Sequence, residues 1–477
     1  MSLKKRIYAI IILVAVLAGV FYVGKSGIQL SQEEQKESFL KNSKKKDTLQ
    51  FWYTDEALTD YLNAAAVSYY EKYGTRVELT LMPQTEVLEA INAATLDDEV
   101  QTPDLYMITN DSLEKAYLAG LASEITNPDL LNDAERFAET AKAAVTYKDK
   151  MVAYPFYYET CAILYNKTYL EEFAQKQMQA EIDQAAGEAS QADAEAGNVE
   201  EEGKAQSTDV VFTQEQIAER VKTYMPTTVD TLIAFSDSYD APENVEGIFK
   251  WDVSDILYNY SFAGRDMSIG GINGDDATLV DIYNPSTIKC LTMFQELNQY
   301  FFIETKNADY ETVIQDFIDG KLVFTVANTD IINQMNAAKE DGSFAYEYGL
   351  THMPDLTDGL ERCSRSITMT VAVNGYSEQR QKANNFAKYL VTDQTEGLHA
   401  RTGKLPAYKK TCVVDDITRV FYEEYEKSVP MPKMMTTGNF WVQMEIAFTE
   451  IWEGGNVDAI LKELSDNLMK QMNEESQ

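Results

Sequence analysis

From residue 49 onward the apolar and polar positions alternate between two rhythms. Residues 49–53 form a short apolar run closed by Thr54, Asp55 and Glu56, which reads as a strand. Apolar residues then recur at Leu58, Leu62, Ala65, Ala66 and Tyr69, the 3.6-residue period of a helix, and Gly74 supplies its stop. A second strand is predicted over 76–82 and a second helix over 85–94. Pro103-Asp104 precedes a third strand over 105–108, and Asn110-Asp111 opens the next helix. Strand, helix, strand, helix, strand is the rhythm of a parallel sheet covered by helices. In such sheets the ligand crevice lies beyond the carboxyl ends of the strands, here the turns holding Trp52 to Glu56 and Asn110-Asp111.

The later chain continues the pattern. A strand over 321–327 follows Asp319-Gly320, and helices are predicted at 378–392, 411–427, 440–452 and 458–472. The last carries Ile460, Leu461, Leu464 and Leu468 on one face, a core-facing stripe. Residues 171–209 break the pattern with eleven acidic residues against two lysines and no aromatic between Phe173 and Phe212. This composition describes a solvated or exposed helical insertion rather than core.

The N-terminus adds a location. Lys4, Lys5 and Arg6 precede an unbroken apolar run over 7–23, ended by Gly24 and Lys25. A basic head before an apolar core is an export signal, with its positive end left in the cytoplasm. The run would span roughly 25 Å as helix, the short end of a membrane crossing. It exceeds the usual core of a cleaved signal, about 7–15 residues. No Ala-x-Ala site follows it and no Cys is available for lipid, so an uncleaved anchor over 1–24 is expected. Residues 25–47, with Lys44-Lys45-Lys46, read as a polar tether. The remaining chain is expected on the extracellular face of the membrane, or secreted if the signal is cleaved.

Composition narrows the chemistry. In 477 residues there are 77 acidic and 41 basic side chains, a formal charge of −36. Displacing phosphate counterions needs Lys and Arg, so nucleic acid is excluded as a partner. The two histidines, His352 and His399, offer no pair at ligand spacing, so no metal or histidine relay is expected. Cys161, Cys290, Cys363 and Cys412 form no CxxC and read as buried thiols.

Three blocks resemble the extracellular solute-binding proteins of sugar-type ABC importers, the group of maltose-binding protein. The first is TPDLYMITNDSLEKAYLAGLASEIT at 102–126. The second is Lys150-Met151-Val152-Ala153-Tyr154-Pro155 with Glu159 and Leu164-Tyr165-Asn166-Lys167. The third is Met431-Pro432 followed by Phe440-Trp441. Phe317-x-Asp319-Gly320-Lys321 and Phe386-Ala387-Lys388-Tyr389-Leu390 add weaker echoes, and the order is kept from about 49 to 470. The resemblance implies an α/β, two-lobe periplasmic-binding-protein fold of type II with ligand in the interlobe cleft. Lobe 1 would hold 48–158 and 369–411. Lobe 2 would hold 159–368 and 412–477, including the acidic insertion. The lobes would close on a sugar by hinge motion, and the protein, a monomer without cofactor or catalytic residue, would dock on a permease.

Sugars need flat aromatics for their ring faces and carboxylates or amides for their hydroxyl edges. Trp52 and Tyr53 could stack, with core packing as the alternative. Asp55 and Glu56 follow, Asp55 also suiting a helix N-cap. The resemblance assigns sugar-binding roles to Glu56, Asp111, Glu159 and Trp441, with Asn110 and Tyr158 beside them. Trp251 and Asp252 resemble a lobe 2 ligand loop. Arg365 suits either an acidic sugar or the surface. The chain also departs from the maltose-binding pattern. Asp330, beside Asn328, replaces a stacking Trp, Ile108 and Val442 replace aromatics, and Ser112 and Glu445 replace arginines. A smaller, carboxylate-held sugar is therefore expected, with an amino sugar or polyamine as the alternative. A membrane-anchored sensor of the same fold is a second alternative. A disulfide among Cys161, Cys363 and Cys412, all near predicted crossings, would restrain the hinge.

Overall fold

The computed structural model describes residues 48–96, 100–195, 210–357 and 359–475. The predicted anchor, the tether and residues 196–209 of the insertion lie outside the described residues. The strands in chain order are β1 (Thr48–Tyr53), β2 (Arg76–Leu81), β3 (Leu105–Thr109), the hairpin β4 (Thr146–Tyr147) and β5 (Lys150–Met151), β6 (Tyr154–Glu159), β7 (Cys161–Asn166), β8 (Gly247–Phe249), the hairpin β9 (Ser268–Ile269) and β10 (Val280–Asp281), β11 (Leu322–Asn328), β12 (Tyr348–Thr351), β13 (Arg365–Val373), β14 (Leu405–Pro406) and β15 (Val429–Pro430).

Two separate sheets build two α/β lobes. One is seven-stranded, ordered β14-β6-β13-β3-β1-β2 with β15 beside β13. The other is four-stranded, ordered β12-β7-β11-β8. The predicted parallel start is present, with β1 between β2 and β3. β1 is buried along its whole length and its apolar run shows no polar alternation, as a strand covered on both faces requires. The helix Thr59–Tyr73 ends at Gly74, whose φ of 73° is the left-handed cap that its glycine permits. The predicted helix over 411–427 is instead two, Lys409–Cys412 and Asp416–Lys427. Asp415 caps the second through Thr418, so local capping chemistry overrides a continuous apolar period.

The insertion extends a helix. Lys167–Glu195 runs for 29 residues, rooted in the core by Leu170, Phe173 and Ala174. Phe173 sits in an aromatic group with Tyr224, Phe235 and Tyr239. Farther along, Arg220 pairs with Glu181, and the Gln179 side chain accepts the Val210 N–H at 3.1 Å.

All four cysteines are free and buried, so no disulfide restrains the hinge. Arg365 is neither on the surface nor in a loop. It opens β13 at 3% exposure, donating to the Pro430 carbonyl at 2.9 Å with its guanidinium 4.1 Å from the Tyr260 ring centre.

Two buried ionic groups tie the crossing segments together. Glu424 is fully buried on the helix Asp416–Lys427. It accepts two 2.8 Å bonds from Arg362 and lies 3.0 Å from His352 Nδ1. Burial opposes its charge, but His352 and Arg362 outweigh burial and hold its pKa below the usual glutamate value. A carboxylate depressed in the fold contributes stability above its unfolded pKa and loses it as pH falls through the folded one. Glu424→Gln should therefore cost up to about 3–5 kcal/mol at pH 7, by leaving the buried Arg362 charge only the exposed Asp355 carboxylate at 3.4 Å. Denaturant unfolding checks this, and the deficit should shrink in acid.

Lys433 is also fully buried, donating to the carbonyls of Ala143, at 2.8 Å, and Asn273. Burial lowers its pKa to about 7, against opposing pulls from Asp275 and Asp111. Above that value the unfolded chain binds more protons than the fold, so this lysine makes stability rise between about pH 7 and the ordinary lysine pKa, near 10.4. In Lys433→Met that rise should vanish from melting curves recorded between pH 7 and 9. An unchanged slope would contradict the assignment.

Candidate functional site

The chain passes from the seven-stranded to the four-stranded sheet between β6 and β7, with Thr160 alone between them. Glu159 is therefore the last strand residue before the crossing. Two registers deliver its neighbours. β14 pairs β6 with Leu405 opposite Tyr158, so the preceding residue, Lys404, falls beside Glu159. β11 pairs β7 with Asn328 opposite Cys161, so Asp330, just past the strand, comes to the same place from the other sheet. The third approach is the β1 turn, where Asp55 accepts the Ala57 N–H as an N-cap.

Lys404 joins these groups. Its Nζ lies 3.2 Å from Asp330, 3.3 Å from Asp55 and 3.7 Å from Glu159. It also stands 5.5 Å from the Tyr157 ring centre. Tyr157 O–H donates to Asp55 at 3.4 Å. Asp55, Tyr157, Glu159 and Lys404 border a cavity of about 320 Å³ together with Thr54, Glu56, Gln84, Thr109, Ile367 and Met369, while Asp330 is not part of its lining. The buried Thr54 hydroxyl has no partner among the described residues. The volume is at the low end of the roughly 300–1,000 Å³ of small-molecule sites.

The electrostatics follow from burial and crowding. Burial raises the Glu159 pKa, Asp330 and Asp55 raise it further, and Lys404 opposes them. Burial disfavours the Lys404 charge, yet Asp330, Glu159 and Asp55 together hold its pKa above the usual lysine value. The lysine stays charged at neutral pH, and Glu159 and Asp330 each keep a further oxygen, whereas the second oxygen of Asp55 accepts the Ala57 N–H.

Of the predicted site residues, Asp55, Glu56, Glu159 and Asp330 come together here. Asn328 supports them by accepting the Asp330 N–H at 3.0 Å and the Tyr310 O–H at 3.2 Å. Asp111 is exposed and accepts from Thr109 and Ser112. Asp252 accepts from Ser254 and Asp255, and borders a separate cavity of about 460 Å³ with Glu445. Trp441 is half-buried on the helix Gly438–Trp452, edge-on to Phe440 and one turn before Glu445.

Five predicted residues are spent on packing. Trp52 and Tyr53 belong to the core, and the Tyr53 hydroxyl pairs with Thr59. Tyr158 stacks on Tyr425 at 3.9 Å and meets the Cys412 sulfur. Trp251 is fully buried among Phe249, Phe262 and Trp452, with its N–H on Asn259. Asn110 is fully buried, donating to the Met431 carbonyl and accepting the Thr368 N–H. None of these rings presents a free face, and the Asn110 amide is taken up on both sides by backbone. Lys404 is the residue that sequence reasoning missed. Its only local mark is its place between Gly403 and the Leu405-Pro406 strand.

The family model of the bacterial extracellular solute-binding proteins matches residues 64–416, well over half of the chain. The chain belongs to this family. The solute-binding protein is 23% identical over 390 residues to the maltotriose-binding protein of Pyrococcus abyssi, covering 78% of this chain and 71% of that one. An extracellular solute-binding protein from Staphylococcus aureus, solved with maltose, superposes with a TM-score of 0.68 at 19% identity. That match covers 90% of this chain and 99% of the other. The Thermus thermophilus maltotriose-binding protein superposes at 0.60 and 18% identity, covering 89% and 100%. The two superpositions show the shared two-lobe fold.

The geometry carries its own check. Removing the Lys404 charge leaves Glu159 facing two carboxylates without the cation that opposes them. In Lys404→Met the Glu159 pKa should rise above its wild-type value in a carboxyl-carbon NMR titration. A fall would refute the contact.

Proposed function

We propose that this solute-binding protein is a carbohydrate receptor that takes a short, uncharged sugar into the cavity around Lys404 and delivers it to an ABC-type permease. The observation that carries the reading is the chemistry of that cavity. Asp55, Glu56, Glu159 and Lys404 line a space that also holds an unpartnered Thr54 hydroxyl, and Lys404 links this wall to Asp330. Charged acceptors and donors at fixed positions suit a ring of hydroxyls, which both donate and accept. The maltose and maltotriose named for the Staphylococcus, Thermus and Pyrococcus relatives point to the same ligand class.

The aromatic supply is thinner than in a maltodextrin site. Trp52, Tyr158 and Trp251 are enclosed, Ile108 is buried, and Asp330 stands at a predicted stacking position. Trp441 is the remaining candidate for a sugar face. Together with a volume of about 320 Å³, this favours one or two sugar rings over a long oligosaccharide. We assign ligand contacts to Asp55, Glu56, Glu159 and Asp330, with Trp441 and Asp252 reached on closure. We keep lobe limits of 48–158 with 369–411 and 159–368 with 412–477, although the start of β13 and all of β15 pair in the seven-stranded sheet from within the second set. The basic, apolar N-terminal segment fits an uncleaved anchor holding a monomeric receptor at the extracellular face.

Binding to the fold alone raises its melting temperature by mass action. A thermal-shift panel of glucose, maltose, maltotriose, other hexoses and disaccharides, glucosamine and spermidine should give its largest shift with a neutral mono- or disaccharide. Glu159→Gln and Asp330→Asn should each weaken that ligand about 10- to 100-fold by calorimetry, the scale of a hydrogen bond to a charged group. Normal affinity in both variants would move the site elsewhere. No shift with any saccharide would remove the carbohydrate reading.

A further inference from the structure

The acids of this cleft invite a cationic ligand, yet the protein supplies a cation of its own. Lys404 belongs to the seven-stranded sheet's side through β14, and Asp330 to the four-stranded sheet's side through β11. The ammonium therefore bridges the two lobes as well as the three carboxylates. Its position is fixed from behind. Gly403 has φ of 73°, and a Cβ there would lie 1.6 Å from the Asn333 amide nitrogen, so the lysine loop rests directly on the helix that Asp330 begins. The Asn333 amide reaches the Thr402 carbonyl at 3.5 Å. On the other side β14 is held to β6. The Lys404 side chain is 13% exposed, so its charge has little freedom to swing into solvent.

We propose that Lys404 sets the charge specificity of the cleft. It occupies the place that an amine of the ligand would take, so amine-bearing solutes are rejected and uncharged ones accepted. Lys404 uses one oxygen each of Asp55, Glu159 and Asp330. The second oxygens of Glu159 and Asp330 have no partner among the described residues and remain for hydroxyl donors. A second ammonium near these oxygens would face Lys404 at short range, and such like-charge contacts are how sites reject wrong ligands. The proposal rests on the cavity being the solute site, and it deepens that reading by naming the residue that excludes cations.

The test uses the whole protein and probes that mimic the missing group. Lys404→Ala removes the butylammonium side chain, and n-butylammonium chloride should raise its melting temperature saturably by several degrees. The same salt should leave the wild type unmoved, and n-butanol should leave the variant unmoved. If n-butylammonium acts no better on the variant than butanol, or equally on the wild type, the proposal is overturned. Should Lys404→Ala not fold, Lys404→Met keeps the stem and leaves room for ammonium ion. Ammonium chloride should then stabilise it more than sodium chloride at equal ionic strength, and equal effects would overturn the proposal. In either variant the preference for glucosamine over glucose should rise about tenfold relative to wild type, the scale of one removed repulsive contact. Rescue by ammonium with no saccharide bound by any form would leave Lys404 as the cation of the cleft and remove the sugar reading. A saccharide bound without rescue would do the reverse.

Discussion

The passage of the chain from β6 to β7 through Thr160 is the constraint around which the rest is arranged. One residue between two strands leaves no slack, so both sheets meet at a single line. The Thr160 hydroxyl donates to the Arg365 carbonyl at 3.3 Å, which ties that line to the start of β13. Everything that pairs with β6 or β7 is then indexed to the crossing. β14 brings Lys404, β11 brings Asp330, and β13 runs antiparallel to β6 with Ile367 opposite Glu159. The charged cluster is thus a consequence of strand register, since Glu159 ends β6 and Lys404, Asp330 and Asp55 each lie within two residues of a paired strand. Loops position side chains loosely; a register fixes them to within a residue because a one-residue slip turns every side chain over.

The crossing also explains why ionic groups are buried so near the hinge. Segments that connect two sheets cannot satisfy their backbone within either sheet, and buried backbone groups must find partners. Asn110 answers this for Met431 and Thr368, and Lys433 for Ala143 and Asn273. Glu424 answers it for the Met353 N–H while binding Arg362. These side chains are polar because their partners are main chain. The same residue types in the sequence look like ligand groups, which is why Asn110 read as a site residue.

How much was legible follows from this division. The βαβ rhythm of residues 49–109 and the turns after β1 and β3 could be read because periodicity and capping are local. Asp55, Glu56 and Glu159 were within reach because Glu159 ends β6 and the other two stand in the turn just after β1, where side chains leave the sheet. The burial of Trp52, Tyr158 and Trp251 was not legible because an aromatic near a strand end looks alike in sequence whether its ring faces a ligand or other rings of the core. Lys404 was invisible for a different reason. Its meaning lies entirely in β14 pairing with β6, a contact between segments far apart in the chain, and a lysine in a polar loop is ordinarily a solvated one. The helix break at Asp415 was written in the sequence as Asp followed by Thr three residues on, but the apolar period around it was the stronger signal.

Charge gains a different meaning once the cluster is seen. A formal −36 suggests a protein looking for cations, and the insertion over 171–209 contributes a net −9 of it. In the cleft the balance is local. Two charges about 3 Å apart in a partly dry site interact far more strongly than the distant surface acids, which salt screens beyond about 8–10 Å. The potential that a ligand meets is therefore set by Lys404 and its three carboxylates, and little by the total. That arrangement has an energetic logic for a receptor that must open and close. Carboxylates facing each other across an empty cleft would repel and hold the lobes apart, whereas an ammonium between them turns the same charges into an attraction that spans both sheets. A hydroxylated solute entering such a site exchanges water for protein acceptors and brings no charge to compete with Lys404 for them. The neutral ligand and the internal lysine are in this sense one design, because the charge that the sugar lacks is already built into the wall.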